Sequence, residues 1–473
     1  MKVSIYTISF KLNDEKYLLI NSLSGKRDIV DSEVIELLLL LKRDGTKVKE
    51  ETGKIVEELK NKGYLTDKTE DEEIQYMENI CRFLYRKSSE CKDHIIIPTY
   101  NCNLRCVYCS QKGLLKHEKR LREKVLNMDE IDKLFDVIVS LDEHCPEGDN
   151  NKTIALFGGE PLMLENMKII KYIFDRGTNL GYKFRITTNG VTLNQFIPLL
   201  KQYKIEYFQI TVDGPKKIHN SRRIKANGEG TFDDIVLGIE TARKNGIPIL
   251  VRVNVDFENL KNITDLAEFI ISKGWVNDPD MRFSLCTVFE PNCSSHEYKI
   301  DREKLLDEIM CAYNRNPLLS LFDIDLREAR IFEEIFSNKK TFWPKCWGCS
   351  AVTRRYIYDP HGKIYTCFYP VGLKKLIVGT YLPKLRFNKQ YELWKKRTIF
   401  NLPECKKCEY STLCGGGCAY FAYETKGDLY KSCCDMFEQC IKYLPYLYEQ
   451  KLKGKMASEV TFSDTLFLNR KRF

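Results

Sequence analysis

Three cysteines that lie within eight residues form the first group of side chains able to do chemistry. They stand in the tract Cys102-x3-Cys106-x2-Cys109, just after a short apolar run at His94–Pro98. Three thiolates can hold three irons of a [4Fe–4S] cube, and the fourth iron then has no protein ligand. Because such an iron can chelate a small molecule, the loop would serve as both an anchor and a binding site. A zinc site completed by His94 or His117 is the alternative that these residues allow.

A second and denser group of cysteines lies towards the C-terminal end. Cys405-x2-Cys408-x5-Cys414-x3-Cys418 is preceded by three further cysteines, namely Cys346, Cys349 and, after Gly362-x4, Cys367. The N-terminal segment alternates and is soon charged, so it is not typical of a signal peptide, and we expect a cytoplasmic protein. In a reducing compartment clustered cysteines more often bind metal than form disulfides. A zinc ribbon remains the alternative for the paired cysteines.

Alternating strands and helices are predicted around the first cysteine group. The β-rich runs are His94–Pro98, Thr153–Phe157, Lys183–Thr187, Tyr207–Val212, Ile249–Val255 and Arg282–Val288. Amphipathic stretches such as Met128–Leu141 and Phe232–Asn245 separate them. This pattern predicts an α/β fold in which a parallel sheet forms a partial (β/α)6 TIM-like barrel. Chemistry in such barrels lies at the C-terminal ends of the strands, which is where the cysteine tract falls.

The regions that flank this barrel differ from it in pattern. Two strands around Asn13-Asp14, a helix from Ser32 that ends before Gly45 and a second helix from Lys54 to about Lys62 suggest a winged-helix-like α+β domain. From Cys346 onward the chain is rich in glycine and cysteine. The expected segments are an N-terminal domain at 1–75, a linker at 76–92, the barrel at 93–300, bridging helices at 301–345, a cysteine-rich domain at 346–445 and a tail at 446–473.

These motifs together resemble the radical S-adenosylmethionine (SAM) superfamily. In that superfamily the CxxxCxxC loop after the first strand holds the cluster that binds SAM, and reductive cleavage of SAM yields a 5′-deoxyadenosyl radical that abstracts hydrogen. The next strand ends resemble further family segments. The resemblance implies that the GGEP turn meets the SAM amino group, and that the TNG and SxDGP segments lie beside the ribose and carboxylate of SAM. The matching residues are Gly158-Gly159-Glu160-Pro161, Thr187-Thr188-Asn189-Gly190 and Thr211-Val212-Asp213-Gly214-Pro215.

Further residues match the family's HDxxR…GxGTF segment. His219-Asn220 begins this segment here, with Asn220 replacing the usual Asp, and Arg223 supplies its arginine. The resemblance implies that Arg223 and Arg252 could pair with the SAM carboxylate, a task suited to a guanidinium, although a surface role is equally open for either. Tyr108 is expected beside the adenine, with plain core packing as the alternative.

The C-terminal cysteines resemble the SPASM module, which in its full form carries two auxiliary [4Fe–4S] clusters. The resemblance assigns Cys346, Cys349, Cys367 and Cys418 to auxiliary cluster I. It assigns Cys405, Cys408, Cys414 and Cys434 to auxiliary cluster II, with Cys433 as the rival of Cys434. Three clusters in total are therefore expected, with SAM as the further cofactor. The other cysteines are expected to be small buried hydrophobic residues: Cys81, Cys91, Cys145, Cys286, Cys293, Cys311, Cys433 and Cys440.

Full SPASM modules occur in enzymes that modify ribosomally made peptides. The N-terminal 70 residues resemble the small peptide-recognition domain of such enzymes, in which a leader peptide joins the sheet edge as an extra strand; a stabilising cap is the alternative. We therefore expect a precursor peptide with a leader and an external one-electron reductant of the flavodoxin or ferredoxin type as partners. The expected product is a thioether from Cys to a carbon of an acceptor residue, while carbon–carbon crosslinking and epimerisation stay open. The sequence identifies no catalytic side chain.

Two other classes of function compete. In sulfatase-maturating relatives an acidic residue follows the GxxxxC cysteine and acts as a base, whereas here that position is Phe368, which cannot accept a proton. A non-catalytic iron–sulfur electron carrier or a zinc protein is the third class. The net charge of +9 is modest for 473 residues, so nucleic acid is not an expected partner. The longest apolar run, Leu37–Leu41, is too short to span a membrane.

Overall fold

The computed structural model describes residues 1–44, 53–111, 119–146, 152–288, 300–325, 330–337, 339 and 341–452. The predictions made for Gly45, His117, Cys293 and the tail beyond residue 452 lie outside these residues. The chain forms two compact units. We call the described residues among 1–89, 326–353 and 396–452 the cysteine unit, and the described residues among 90–325 and 354–395 the barrel unit.

The N-terminal part of the cysteine unit contains a three-stranded antiparallel sheet rather than the predicted two-stranded hairpin. Its elements are β1 (Lys2–Val3), β2 (Thr7–Lys11), β3 (Lys16–Asn21), β4 (Lys26–Asp31), α1 (Ser32–Asp44), α2 (Gly53–Asn61) and β5 (Leu65–Thr66). The sheet order is β2-β3-β4, and β1 pairs separately with β5. Helix α1 packs on this sheet through a core that includes Leu19, Leu38 and Leu41.

The expected linker at 76–92 is wrong, because most of it lies in a 21-residue helix, α3 (Glu70–Glu90). The Thr69 side chain and Glu72 exchange hydrogen bonds across the first turn, and four acidic residues stand at the N-terminal end, where the helix dipole favours them. Met77, Cys81 and Leu84 follow one another at helical spacing, and all three are buried. These features outweigh the charged composition that suggested a linker.

The barrel unit contains the predicted parallel strands. They are β6 (Asp93–Ile96), β7 (Thr153–Leu156), β8 (Lys183–Thr188), β9 (Ile205–Thr211), β10 (Ile249–Val255) and β11 (Met281–Thr287). The helices between them are α4 (Lys119–Glu123), α5 (Met128–Leu141), α6 (Met167–Asn179), α7 (Leu193–Leu200), α8 (Lys216–Arg222), α9 (Phe232–Lys244) and α10 (Ile263–Ser272). Consecutive strands are neighbours and parallel, which confirms the predicted α/β fold class.

The sheet continues beyond both ends of this six-stranded core. Helix α11 (Arg302–Arg315) leads to β12 (Asp323–Ile324), which pairs in parallel with β11. After α12 (Arg330–Phe336) of the cysteine unit, β13 (Arg355–Tyr358) adds to β6 in parallel, and β14 (Lys363–Tyr365), β15 (Gly379–Thr380) and β16 (Arg386–Phe387) extend the edge in antiparallel fashion. The single expected domain at 346–445 is therefore divided, because residues 354–395 pair with the barrel sheet.

Short helices complete the chain. They are α13 (Lys389–Lys395), α14 (Ser411–Cys414), α15 (Ala419–Lys426), α16 (Asp435–Ile441) and α17 (Leu444–Leu452). Except for α13, they belong to the cysteine unit, together with the N-terminal sheet. Within that unit, a buried hydrogen bond of 2.7 Å between the hydroxyls of Ser22 and Thr412 joins the N-terminal region to α14. Among the described helices, none has both the length and the hydrophobicity that a membrane crossing requires.

Candidate functional site

The cysteine tract lies at the C-terminal end of β6, as predicted. Its backbone is held by a second segment of the barrel unit: Arg105 N donates to Ile224 O over 2.7 Å, and Val107 N donates to Arg222 O over 3.0 Å. Cys102, Cys106 and Cys109 are all partly buried. The loop is therefore held both by its connection to β6 and by this second segment.

The thiols of this tract have raised pKa values. Burial, and secondarily the Glu160 carboxylate, raise the pKa of Cys102 to about 12. Burial also raises the pKa of Cys106, whereas the Arg223 guanidinium opposes that shift. Since iron binds the thiolate, these groups become anionic when metal replaces their protons. A set of three close cysteines fits the [4Fe–4S] cluster that the sequence suggested.

The GGEP turn packs directly on the backbone before the cysteine tract. Gly159 N donates to Thr99 O over 3.2 Å, and Glu160 N donates to Asn101 O over 2.8 Å. A β-carbon on Gly158 would lie 2.8 Å from Thr99 O, and Gly158 has a φ of +140°. Glycine is needed here because a side chain would push the two loops apart.

Glu160 joins this turn to the end of β8. Its buried carboxylate accepts hydrogen bonds from Leu162 N (2.9 Å), the Thr188 hydroxyl (2.7 Å) and Asn189 N (2.6 Å). Burial raises its pKa, although these donors favour the charged form. The Asn189 amide in turn donates to the Asn103 side chain over 2.7 Å, next to Cys102. The predicted residues of the second and third strand ends are thus brought together around the cysteine tract.

Tyr108 lies in a buried polar network. Its hydroxyl donates to the Asp213 carboxylate and accepts from Arg223 Nη1 over 3.0 Å. Asp213 also accepts from Asn254 N over 3.0 Å, so its carboxylate is used by protein donors. Arg223 Nε is buried and has no hydrogen-bond partner among the described residues, which leaves a donor for a further anionic group. The arrangement around Arg223 fits a carboxylate such as that of SAM.

Thr211, the last residue of β9, is the register partner of Arg252 in the middle of β10. Arg252 Nη2 lies 2.7 Å from the Cys286 sulfur, and Nε lies 3.2 Å from the Asn254 side chain. Cys286, which had no expected role, therefore contacts a candidate SAM-binding residue. Such a contact across neighbouring strands leaves no local signal in the sequence.

Asn220, which stands where the family usually has Asp, binds the backbone at the start of α9. The Asn220 side-chain oxygen accepts from Thr231 N (2.9 Å) and Phe232 N (3.0 Å) at the start of α9. A β-carbon on Gly230 would lie 2.4 Å from the Asn220 amide, so the glycine of the GxGTF segment makes room for this contact. Sequence reasoning missed the buried pair beside it, in which Arg222 Nη1 bonds both carboxylate oxygens of Asp256 at 2.8 and 2.7 Å.

His94 does not support the zinc alternative. Its Nδ1 lies 2.9 Å from the Tyr358 hydroxyl, and its Nε2 lies 3.1 Å from the Asp142 carboxylate. Both ring nitrogens are therefore engaged within the protein. In the part of the chain that the structure describes, no three His, Cys, Asp or Glu side chains converge closely enough to hold a single metal ion.

The cysteine unit brings together the cysteines expected for auxiliary cluster II. Burial raises the pKa of Cys405 to about 12, with further contributions from Cys414, Cys434 and Cys408. Burial likewise raises the pKa of Cys414 to about 11, and Cys434 and Cys408 add to it while Lys345 opposes. Cys434 is thus among the residues that raise the pKa of both thiols.

One cysteine of the set expected for auxiliary cluster I is paired with another cysteine. Cys346 forms a disulfide with Cys81 of α3, with a Cα–Cα distance of 5.6 Å, and a sulfur in a disulfide has no thiolate to offer to iron. Cys349 and Cys418 lie in the cysteine unit, whereas Cys367 follows β14 in the barrel unit. A second disulfide joins Cys91 and Cys145. Cys81 and Cys145 are buried, as expected, but the sequence did not predict either disulfide, since pairing across long separations leaves no local spacing signal.

Phe368 occupies the position of the base in sulfatase-maturating relatives. Its ring packs edge-on against Phe157, which immediately precedes the GGEP turn, with 4.8 Å between the ring centroids. The Arg355 guanidinium lies 4.9 Å from the Phe368 ring on a further side. This position next to Cys367 is consequently apolar and provides no proton acceptor.

Comparison with known proteins points to the same superfamily as the motifs of this site. Residues 96–270, from the end of β6 to α10, match the model of the Radical SAM superfamily, so this part of the chain is a Radical SAM superfamily domain. The chain is 25% identical over 343 residues to a cysteine-type anaerobic sulfatase-maturating enzyme of Clostridium novyi, a match covering 67% of this chain and 85% of that enzyme.

Two further proteins match along almost the whole chain. The radical SAM cyclopropyl synthase TigE of Paramaledivibacter caminithermalis is 23% identical, and the match covers 93% of this chain and 95% of TigE. The crystal structure of Streptococcus suis SuiB bound to its precursor peptide SuiA has a TM-score of 0.55 at 16% identity, and the match covers 91% of this chain and 98% of SuiB. The SuiB structure shows that this chain and SuiB have the same fold.

Proposed function

We propose that this protein is a radical SAM enzyme that binds the leader of a ribosomally made precursor peptide and crosslinks the peptide, most directly by a thioether from a Cys sulfur to a carbon of an acceptor residue. The observation that carries the proposal is the extent of the likeness to TigE and SuiB, which includes the N-terminal region, whereas the match to the sulfatase-maturating enzyme covers two thirds of the chain.

The N-terminal sheet supports a role in peptide binding. β4 pairs with β3 on one side and has no strand partner on the other among the described residues. The start of this edge is already occupied by other residues of the cysteine unit. Phe342 N donates to Gly25 O over 3.2 Å, and Arg27 Nη2 donates to Ser337 O over 2.9 Å. Within the part of the chain that the structure describes, the free side of Asp28–Asp31 has no such backbone contact. A leader strand could therefore add to this half of the edge through main-chain hydrogen bonds.

The residues of the barrel unit have complementary tasks in this proposal. Cys102, Cys106 and Cys109 would hold the SAM-binding [4Fe–4S] cluster, and Arg223 would bind the SAM carboxylate. When bound, the cluster and SAM supply a radical that removes hydrogen from an unactivated carbon. The Phe157–Phe368 pair covers an apolar region beside the GGEP turn, and such a region excludes water from a reactive species.

The overall reaction removes two hydrogens from the peptide. The acceptor C–H bond and the donor S–H bond break, and a carbon–sulfur bond forms. One hydrogen leaves with 5′-deoxyadenosine, while the thiol proton passes to a base and one electron passes to an auxiliary cluster. The proposal also includes two auxiliary clusters and an external reductant of the flavodoxin or ferredoxin type. The reaction would take place in the cytoplasm.

The direct test is mass spectrometry of a precursor peptide incubated anaerobically with reduced enzyme and SAM. A product two hydrogens lighter per crosslink, formed together with 5′-deoxyadenosine, is the expected result. Ile29→Asp should weaken binding of a fluorescent leader peptide, because the Ile29 side chain is exposed on β4. Leu237→Asp is the control and should leave leader binding unchanged, because Leu237 is an exposed side chain on α9, away from the N-terminal sheet in the sequence. Deoxyadenosine without any change in peptide mass, for every precursor encoded nearby, would contradict crosslinking.

A second candidate is a protein oxidase of the sulfatase-maturating type, which the match to the Clostridium novyi enzyme favours. Such an enzyme would also remove two hydrogens, but from a single side chain. A Ser would become an aldehyde directly, whereas a Cys would become a thioaldehyde that water converts into the aldehyde with release of hydrogen sulfide. Reaction of the product with a hydrazide distinguishes the two, because a thioether does not react. The apolar surroundings of Phe368 argue against this candidate.

A further inference from the structure

Arg397 is a fully buried guanidinium inside the cysteine unit. All three of its nitrogens donate to main-chain carbonyls: Nε to Leu429 (2.5 Å), Nη1 to Gly417 (3.1 Å), and Nη2 to Gly416 (2.9 Å) and Lys431 (2.8 Å). No carboxylate lies within ion-pair distance of it among the described residues. A buried cation of this kind is costly unless other negative charge compensates it.

The carbonyls that bind Arg397 belong to the segments that carry the cysteines. Gly416 and Gly417 lie between Cys414 and Cys418, and Leu429 and Lys431 shortly precede the cysteine pair Cys433-Cys434. Gly415, Gly416 and Gly417 have φ values of +69°, +77° and +69°, a left-handed run that side-chain-bearing residues rarely adopt. The guanidinium fork therefore links two cysteine-bearing loops that have little regular structure of their own.

A third loop reaches the same point. A β-carbon on Gly348 would lie 2.0 Å from Gly417 O and 3.8 Å from Arg397 Nη1. Gly348 immediately precedes Cys349, so this cysteine is also carried by a loop that packs around the guanidinium. Burial lowers the pKa of Arg397, and the sulfurs of Cys418, Cys349 and Cys405 oppose that shift. These sulfurs come from the sets expected for both auxiliary clusters.

We propose that Arg397 is a positioning residue for the auxiliary cysteines and the buried cation that stabilises the reduced form of the auxiliary clusters. This inference rests on the proposed iron–sulfur content of the cysteine unit. A cubane cluster with four thiolates is an anion and becomes more negative on reduction. A fixed positive charge in a medium of low dielectric constant therefore favours the reduced state and raises the potential.

The test uses the full-length protein with Cys102, Cys106 and Cys109 changed to Ala, so that only auxiliary clusters titrate. Arg397→Gln removes the charge, and Arg397→Lys retains it without the fork. Iron and sulfide are counted after anaerobic reconstitution, and potentials are measured by redox titration followed by electron paramagnetic resonance. Lys407→Gln is the matched control, because Lys407 is an exposed cation between Cys405 and Cys408 that water screens.

Arg397→Gln should shift the reduction equilibrium at least tenfold towards the oxidised form, which is 59 mV for a one-electron couple. Arg397→Lys and Lys407→Gln should leave the potential near that of the parent. Loss of iron in Arg397→Gln alone would equally show that the charge is required. An unchanged potential in an iron-replete Arg397→Gln protein, or equal loss of iron in both Arg397 variants, would overturn the electrostatic role. A parent protein without auxiliary iron would contradict the proposed function instead.

Discussion

Gly159 lies so close to Asn101 that a β-carbon on the glycine would come within 2.1 Å of the Asn101 carbonyl oxygen. The GGEP turn and the cysteine tract are thus in direct backbone contact. Because both loops begin at the ends of neighbouring parallel strands, their separation is set by the spacing of β6 and β7.

Gly159→Ala should therefore separate the two loops. We expect a loss of about 1–3 kcal/mol in the free energy of unfolding, as for other overpacked sites, and at least a tenfold fall in SAM cleavage. Chemical denaturation and the yield of 5′-deoxyadenosine measure the two effects. Gly53→Ala is the control, since a β-carbon on Gly53 would meet nothing within 4 Å. Normal SAM cleavage by a stable Gly159→Ala protein would show that the close approach has no role in the site.

Tyr108→Phe should disturb the site without creating a large cavity. It removes the phenol that bonds both Asp213 and Arg223, so a buried acceptor and a buried donor lose a partner. We expect a loss of about 1–3 kcal/mol in stability and an increase in the KM for SAM. Tyr172→Phe removes a bond to Asp132 in a half-buried position and should cost less, about 1 kcal/mol or below. Equal effects of the two substitutions would argue against a buried network around Tyr108.

The pair of His94 and Asp142 predicts a dependence of stability on pH. Burial raises the pKa of Asp142, but hydrogen bonds from His94 and Tyr182 outweigh this and hold the pKa below its usual range. A depressed pKa contributes stability above the unfolded-state value of about 3.9, and this contribution is lost as the pH falls through the folded-state pKa.

Asp142→Asn should accordingly destabilise the protein at pH 7, by about 1–3 kcal/mol, and its effect should shrink in strongly acidic solution. Denaturant titrations at several pH values measure this difference. Asp132→Asn, at the surface, should show a smaller effect at every pH. A destabilisation by Asp142→Asn that grows on acidification would reverse the assigned sign.

Iron counting tests the three sets of cysteines. We expect about 12 iron atoms per chain, with auxiliary cluster I held by Cys349, Cys367 and Cys418 because Cys346 is in a disulfide. The count should fall to about 8 when Cys102, Cys106 and Cys109 are changed to Ala, because each cubane holds four irons. Cys434→Ala should lower the iron content or convert a cluster, whereas Cys433→Ala should leave it unchanged. The reverse result would exchange the roles of these two neighbours. Bound zinc in place of iron would contradict all three assignments.

The barrel could be predicted from the sequence because its signals are local. Each of the six parallel strands is a short apolar run followed by an amphipathic helix, and the polar motifs stand where the strands end. β4 was missed because Lys26–Asp31 is largely charged, and its extended form depends on pairing with β3. The same reason applies to β13–β16, whose strand state depends on the edge of the barrel sheet.

Prediction of the candidate site from the sequence was limited in the same way. The cysteine spacing and the GGEP turn could be read directly, because neighbouring residues carry the chemistry. The Arg222–Asp256 pair, the contact of Cys286 with Arg252 and the Cys81–Cys346 disulfide join residues 34 and 265 positions apart. Such contacts arise only when the tertiary fold is formed, and no spacing in the sequence marks them.

The parallel pairing of β13 with β6 has a consequence for electron flow. Tyr358 is the register partner of Ile96, so the strand that leads to Cys102 and the hairpin that leads to Cys367 are adjacent parts of one sheet without a hinge between them. A tunnelling rate decays steeply with separation. Under the proposed function, an electron that passes between clusters at these two ends of the barrel unit would cross a separation set largely by hydrogen-bonded backbone.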